Sequence, residues 1–313
     1  MGLSEKCNRL GHYAAAQDIP AAVSSQPPYP ITCHKQKAPF DYVESLLPEL
    51  LHHKVILLRP SASQREDQFP VLAKSTQCQA CFHALRLVKA LQNEAESLLQ
   101  QIPRPFVALH LRFEPDMIAY SRCAYNNLSA ASVVAIDQAQ GTRQVLGKEL
   151  QKSWRRRGKC PLTPKETASL LLALKIPSNT TIYVAAGTGL LEFHALASAF
   201  PRAVQKSNFL TERSLKALGG SRAAAIDWYI CLHSDAYIAT FTGNMDKMVI
   251  SDRILAGKQQ NMILNRRYFA ELEGKRALEI SGFIWQAHKQ DIISGHNLPV
   301  ADCFCHEGGT PKP

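Results

Sequence analysis

The chain has 313 residues, 46% of them apolar and 20% charged. That composition belongs to a globular protein with a substantial core and excludes collagen, coiled coil and intrinsic disorder. No run approaches the roughly 18 apolar residues that a spanning helix needs, so no membrane anchor is expected within this chain. The 36 Lys and Arg against 26 Asp and Glu give a net charge of +10, which favours anionic partners in general. The one tight basic run, Arg155-Arg156-Arg157 with Lys152 and Lys159 beside it, reads as a solvated loop. It lacks the aromatic interleaving of single-strand binders, so nucleic acid is not an expected partner.

In chain order, residues 1–38 look like a poorly organised lead-in, with loop composition at Ser24-Ser25-Gln26-Pro27-Pro28. A helix is expected over 39–51 and a buried strand over 54–58. Helical periodicity returns over 83–101, with Val88, Leu91, Ala95 and Leu98 on one face, and Pro103 and Pro105 end it. Phe106-Val107-Ala108-Leu109-His110-Leu111 is a near-continuous apolar run and reads as a central parallel strand. Residues 137–159 read as an exposed helix and loop. Thr163-Pro164-Lys165-Glu166 is a strong helix start: Thr163 caps, Pro164 fits the first helical position and Glu166 completes a capping box. Further on, strands are expected at 181–186, 204–206 and 236–240, with helices from about 190, over 221–230, over 244–255 and over 276–290. The alternation from Phe106 onward argues for an α/β fold, a parallel sheet with helices on both faces. Ligands of such sheets bind beyond the carboxyl ends of the strands, which puts the useful residues after Leu111, Ala186 and Thr240.

Four segments carry candidate chemistry. His110-Leu111-Arg112-Phe113-Glu114-Pro115-Asp116 closes the best strand. Arg112 suits a bidentate contact to a diphosphate, and Glu114 and Asp116 suit a general base or a sugar hydroxyl. The plainer reading is a surface salt bridge from Arg112 to either acid. Asp227 to Asp235 flanks a turn in which Ser234 can donate to a phosphate; the plainer reading is an ordinary polar turn. Thr242-Gly243-Asn244 follows a strand and opens a helix, where free backbone N–H groups favour anions, or where the turn simply caps. Ala186-Gly187-Thr188-Gly189 permits close approach by a nucleotide without completing a dinucleotide fingerprint.

Nine widely spread cysteines fit a secretory-pathway enzyme with a few bridges, or a cytosolic protein with free thiols. Cys78-Gln79-Ala80-Cys81 and Cys303-Phe304-Cys305-His306 lack recognisable zinc-site spacing, so disulfides or buried thiols are expected and a metal is not. Two glycosylation sequons begin at Asn127 and Asn179. The first 30 residues show no signal-peptide core, so the protein is either cytosolic or targeted by a segment outside this chain.

Taken together, several segments resemble the plant O-fucosyltransferase-like family. They are Phe106 to Glu114 with Asp116 to Cys123, Gly158-Lys159-Cys160-Pro161-Leu162-Thr163-Pro164, Ile182 to Gly187, Ala225 to Tyr237, Gly243 to Lys247, and Asp302-Cys303-Phe304-Cys305. The resemblance spans roughly residues 40–305. It implies a Golgi-lumen glycosyltransferase of GT-B type, with two Rossmann-like domains and inverting, metal-independent transfer of fucose from GDP-fucose to a glycan or protein hydroxyl. Arg112 would grip the donor phosphates; His110, Asp227, Ser234, Asp235, Thr242, Gly243 and Asn244 would complete the donor site. Relatives that transfer rhamnose from a UDP donor to pectin keep the donor sugar open. The family's glycine-rich Gly-Gly-x-Asn-Gln segment and Golgi anchor are not found, so the first domain is expected to be incomplete. The expected division is a lead-in at 1–38, the remainder of an N-terminal Rossmann-like domain at 39–102, a C-terminal donor-binding domain at 103–305 and a tail at 306–313. The competing expectation is a non-catalytic, truncated homologue.

Overall fold

The computed structural model describes residues 86–267 except 142 and 188, the segments 29–33, 47–54 and 56–60, and the isolated positions 27, 82–83, 282, 284, 286, 298 and 300. The chain divides into two compact units, residues 87–300 and residues 1–86 with 301–313. In the smaller unit, strand β1 (Tyr29–Cys33) lies parallel to β2 (Ile56–Pro60), with helix α1 (Leu47–His53) between them in sequence. The strand expected at 54–58 begins later because Lys54 (φ 65°) ends the helix, its N–H donating to Leu50 O at 2.9 Å. Part of the expected 39–51 helix, and both cysteine pairs considered for zinc, lie outside the described residues.

The larger unit opens with α2 (Lys89–Gln101), shorter than expected because Val88 is extended (ψ 144°). Its sheet is built from β3 (Phe106–His110), β4 (Thr181–Ala185), β5 (Ala203–Val204), β6 (Ala236–Ala239) and β7 (Asn261–Ile263). All pairings are parallel and the spatial order is β5-β4-β3-β6-β7. This is the doubly wound arrangement, with the strand order reversing between β3 and β6. Helices α3 (Pro115–Ser121), α4 (Ala130–Gln140), α5 (Lys148–Arg156) and α6 (Pro164–Ala173) fill the long connection from β3 to β4. After β4 come α7 (Phe193–Ala199), a 3-10 turn at Lys206–Asn208 and α8 (Glu212–His233), and α9 (Asn244–Leu255) follows β6. Gly219 (φ 69°, ψ 171°) kinks α8, which is why only its second half shows helical periodicity in the sequence. The helix expected at 276–290 falls mostly outside the described residues, of which positions 282, 284 and 286 are helical.

Strand alternation sorts the core onto two faces. Leu109, Leu111, Ile182, Val184 and Ile238 pack with Leu170, Leu171 and Leu196 on one side. Phe106, Ala108, Tyr183, Tyr237 and Ala239 pack with Leu98, Ile226, Ile230, Val249 and Ile250 on the other. The capping box forms as expected: Thr163 Oγ1 accepts from Glu166 N at 3.1 Å and Thr163 N donates to Glu166 Oε2 at 2.8 Å. A disulfide joins Cys123 to Cys160 and bounds the excursion that carries α4 and α5, while Cys231 is a buried free thiol.

Arg253 is completely buried and has no carboxylate partner among the described residues. Its guanidinium donates instead to carbonyl oxygens at the end of α8 and before β6 and β7, including Cys231 O at 3.1 Å, Ser234 O at 2.8 Å and Gln260 O at 3.2 Å, and to Asn261 Oδ1 at 2.6 Å. It therefore serves as the C-terminal cap of α8 and the link to the β7 edge. Arg253→Met retains the bulk and orphans those oxygens. Urea unfolding should show a loss of about 3 kcal/mol or more; a variant as stable as wild type would show that the carbonyls find other donors.

Candidate functional site

His110, Arg112, Glu114, Asp116, Gly187, Lys206, Asp227 and Met245 line a cavity of about 240 Å³ at the carboxyl ends of β3 and β4. Strand register explains the set. His110 is in line with Phe106 and Ala108, so its ring points to the α8–α9 face. There its Nδ1 lies 2.6 Å from Asp246 Oδ1. The same oxygen accepts from Tyr237 Oη at 2.8 Å, and Asp246 Oδ2 accepts from Gly243 N at 2.9 Å. One fully buried carboxylate thus joins β3, β6 and the first turn of α9. His110 Nε2 has no protein partner among the described residues. Burial opposes a charged His110, but the Asp246 carboxylate and its hydrogen bond raise the imidazole pKa on balance.

A second buried pair sits behind the first. Lys206 Nζ donates to Asp227 Oδ2 at 2.5 Å and to Ala186 O, while Tyr183 Oη donates to Asp227 Oδ1 at 2.7 Å. Burial lifts the Asp227 carboxyl above its ordinary range, against the pull of Lys206 and Tyr183. Asp227 is thereby built into the floor of the cavity, each oxygen already taken.

Arg112 lies nearer the opening, about a third exposed. Its Nε donates to Glu114 Oε2 at 3.1 Å and its Nη2 lies 3.6 Å from Asp116 Oδ2. Its Nη1 has no protein partner among the described residues. Glu114 is buried, and its other oxygen accepts from Gly187 N at 2.6 Å. A Cβ on Gly187 would stand 3.0 Å from that oxygen, so the small-residue turn after β4 is required by the close approach of Glu114. Glu114 is therefore no free base: both of its oxygens hold structure, and one of them orients the arginine. Asp116, with a side chain 75% exposed, is the acid of the pair left open to solvent.

Two expected site residues lie elsewhere. Ser234 and Asp235 precede β6, at the amino ends of the strands. Ser234 is buried against Arg253, and Asp235 pairs with Arg104 at 3.0 Å and accepts from Phe106 N at 2.8 Å. The turn that looked like a phosphate grip is thus the entry to the strand, at the wrong end of the sheet. Thr242 and Asn244 are exposed beside Gly243 at the start of α9, whose second residue, Met245, reaches the cavity. Asn127 and Asn179 are both exposed, and Ser129 of the first sequon is the N-cap of α4. Lys206 and Asp246 were missed. The spacing of Asp246, three residues after Gly243, is the one signal that marks it as a cap; nothing local marks Lys206. Among the described residues no cluster of three metal-ligating side chains occurs.

Comparison with known proteins follows this geometry. The family model for GDP-fucose protein O-fucosyltransferase matches residues 6–256. O-fucosyltransferase 13 of Arabidopsis thaliana is 42% identical over 297 residues, which cover 94% of this chain and 68% of that protein. Rhamnogalacturonan I rhamnosyltransferase 1 of the same plant is 32% identical over 243 residues, 74% of this chain and 47% of the relative. O-fucosyltransferase 9, also from Arabidopsis thaliana, is 27% identical over 305 residues, 86% of this chain and 53% of the relative. The chain thus spans about two thirds of the first relative and about half of the other two. A doubly wound sheet with a charged cavity at its carboxyl edge, matched in this way, defines a glycosyltransferase of the fucosyltransferase-like kind. The chain belongs to the GDP-fucose protein O-fucosyltransferase family.

The His110–Asp246 pair gives a pH signature. Because the folded pKa of His110 is raised, its stabilisation is fully present below the ordinary imidazole value of about 6.5 and is lost as pH rises through the folded value. The thermal midpoint of Asp246→Asn should lie well below that of wild type, with the gap widest between about pH 5 and 6.5 and narrowing above it. A gap that does not change with pH would show that Asp246 acts through Tyr237 and Gly243 alone.

Proposed function

We propose that this chain carries the donor half of an inverting, metal-independent fucosyltransferase of GT-B type that takes GDP-fucose and acts in the Golgi lumen. The observation that carries the reading is Arg112: a cavity-lining guanidinium at the end of β3, held by a buried Glu114, with Nη1 unpartnered among the described residues. In the transfer, an acceptor hydroxyl of a protein or cell-wall glycan attacks C1 of the sugar from the face opposite the diphosphate. The C1–O bond breaks, its electron pair stays on the departing phosphate oxygen, and the hydroxyl proton leaves to a base. Charge therefore develops on the diphosphate, where a preorganised cation is worth most. Arg112 meets that charge, and His110 Nε2 offers a second contact from the cavity wall. Asp116 is the acid free to receive the proton. The Cys123–Cys160 disulfide and the two exposed sequons suit an oxidising, glycosylating compartment.

A UDP-rhamnose donor is the second reading, favoured by the rhamnosyltransferase among the relatives. Calorimetric titration with GDP and with UDP separates them. GDP should bind to wild type and weaken about 10- to 100-fold in Arg112→Ala, the size expected for a charge-assisted contact. Preference for UDP would move the assignment to rhamnosyl transfer. Binding of neither would leave a homologue without a working donor site.

A further inference from the structure

The basic run on α5 does not stand alone. Arg156, Arg157 and Lys159 are exposed. The run turns at Gly158 (φ 65°), and a Cβ there would stand 3.2 Å from Arg267 Cγ and 3.6 Å from Arg266 Cβ. The end of α5 therefore packs directly on the residues that follow β7, and four exposed cations, Arg156, Arg157, Lys159 and Arg267, form a ridge around that contact with Arg266 beneath it. The acids nearest in sequence are engaged elsewhere: Glu149 with Lys152 at 3.2 Å, and Glu166 with Arg155 at 2.7 Å and with its own helix cap. Among the described residues no carboxylate comes within ion-pair distance of Arg156, Arg157, Lys159, Arg266 or Arg267.

Arg266 ties this ridge to the site. Its guanidinium lies 3.9 Å from the ring centroid of Phe241, in the loop after β6 that leads to Gly243. Its Nη1 is buried and has no hydrogen-bond partner among the described residues. Burial lowers its pKa to about 10, which still leaves it charged at neutral pH. Arg266 and Phe241 both follow carboxyl ends of parallel strands, so the ridge rims the same edge of the sheet as the cavity. Aromatic rings stand among the cations, with Lys159 Nζ 5.0 Å from the Trp154 ring and Arg155 Cζ 5.1 Å from the Tyr125 ring. Packing so many like charges together is a Coulombic cost that an anionic ligand removes.

We infer that this ridge docks the acceptor, and that the acceptor is a glycan strand carrying carboxylates, that is, a uronate-bearing polysaccharide. The inference rests on the glycosyltransferase reading. It adds that carboxylates along the acceptor lie on Arg156, Arg157, Lys159 and Arg267 while pyranose faces meet the interspersed rings, which leaves a hydroxyl at the mouth of the donor cavity. A neutral glycan or a polypeptide without acidic residues gains nothing from such a surface.

The test is titration of the 313-residue chain with an oligogalacturonate and with its fully methyl-esterified counterpart. The acid form should bind, with affinity falling as salt is raised, and the ester should not. The triple variant R156Q/R157Q/K159Q should bind the acid form about tenfold more weakly or worse and with a shallower salt dependence, and Arg267→Gln alone should weaken it by a smaller factor. GDP affinity should be unchanged in both variants, which also shows that they are folded. Equal binding of acid and ester, undiminished binding by the triple variant, or tighter binding to anionic phospholipid vesicles or a DNA oligonucleotide would overturn the inference. Loss of GDP binding with uronate binding intact would overturn the donor assignment and leave the ridge standing.

Discussion

The site depends on one carboxylate. Asp246 is removed from water, and a buried charge without partners would be intolerable. Its three partners come from three places: the imidazole of β3, the phenol of β6 and the backbone N–H of Gly243, the N-cap of α9. Satisfying it fixes the neighbourhood of β3 and β6, the rotation of α9 and the direction of His110 in one act. That neighbourhood is the place where the strand order reverses, so the residue that closes the fold at that crevice also shapes the cavity wall.

The other charges around the cavity follow the same logic. Lys206 and Asp227 neutralise one another under the floor, and Glu114 spends both oxygens holding Arg112 and the Gly187 turn. What remains uncommitted is Arg112 Nη1, His110 Nε2, the backbone at the head of α9 and the exposed carboxylate of Asp116. The buried carboxylates around the cavity are all engaged, so its free groups are a half-free cation, an imidazole nitrogen and one solvent-exposed acid.

Much of this was legible in the sequence because it is local. The apolar runs at Phe106, Thr181 and Ala236, the capping box at Thr163, and helix α9, which is observed over the range expected, depend on neighbours within a few residues. The same locality put Arg112 at the end of a strand, where ligands bind. The failures are of two physical kinds. Elements without a strong period were missed: β1, inside the segment read as a poorly organised lead-in, α3, too short at seven residues to show one, most of α4, and β7, three residues at a sheet edge. Partnerships across the chain were invisible too. His110 and Asp246 are 136 residues apart, Lys206 reaches Asp227 from the far side of a kinked helix, and Arg253 looks like any surface arginine until its carbonyl partners are seen. Ser234 and Asp235 are a third case. The strand expected at 236–240 already put them at its amino end, and only the family resemblance made them donor-site candidates.

The Cys123–Cys160 crosslink pinches the excursion between β3 and β4 at its base, tying together two residues 37 apart in sequence. The contents of the excursion remain coupled to the site where Ile136 of α4 packs on Phe113, beside Arg112, so only changes at exposed positions of α4 and α5 leave His110, Arg112 and the strands untouched. Drift at those exposed positions can then reshape the surface of the loop while its two tied ends hold the edge of the sheet constant.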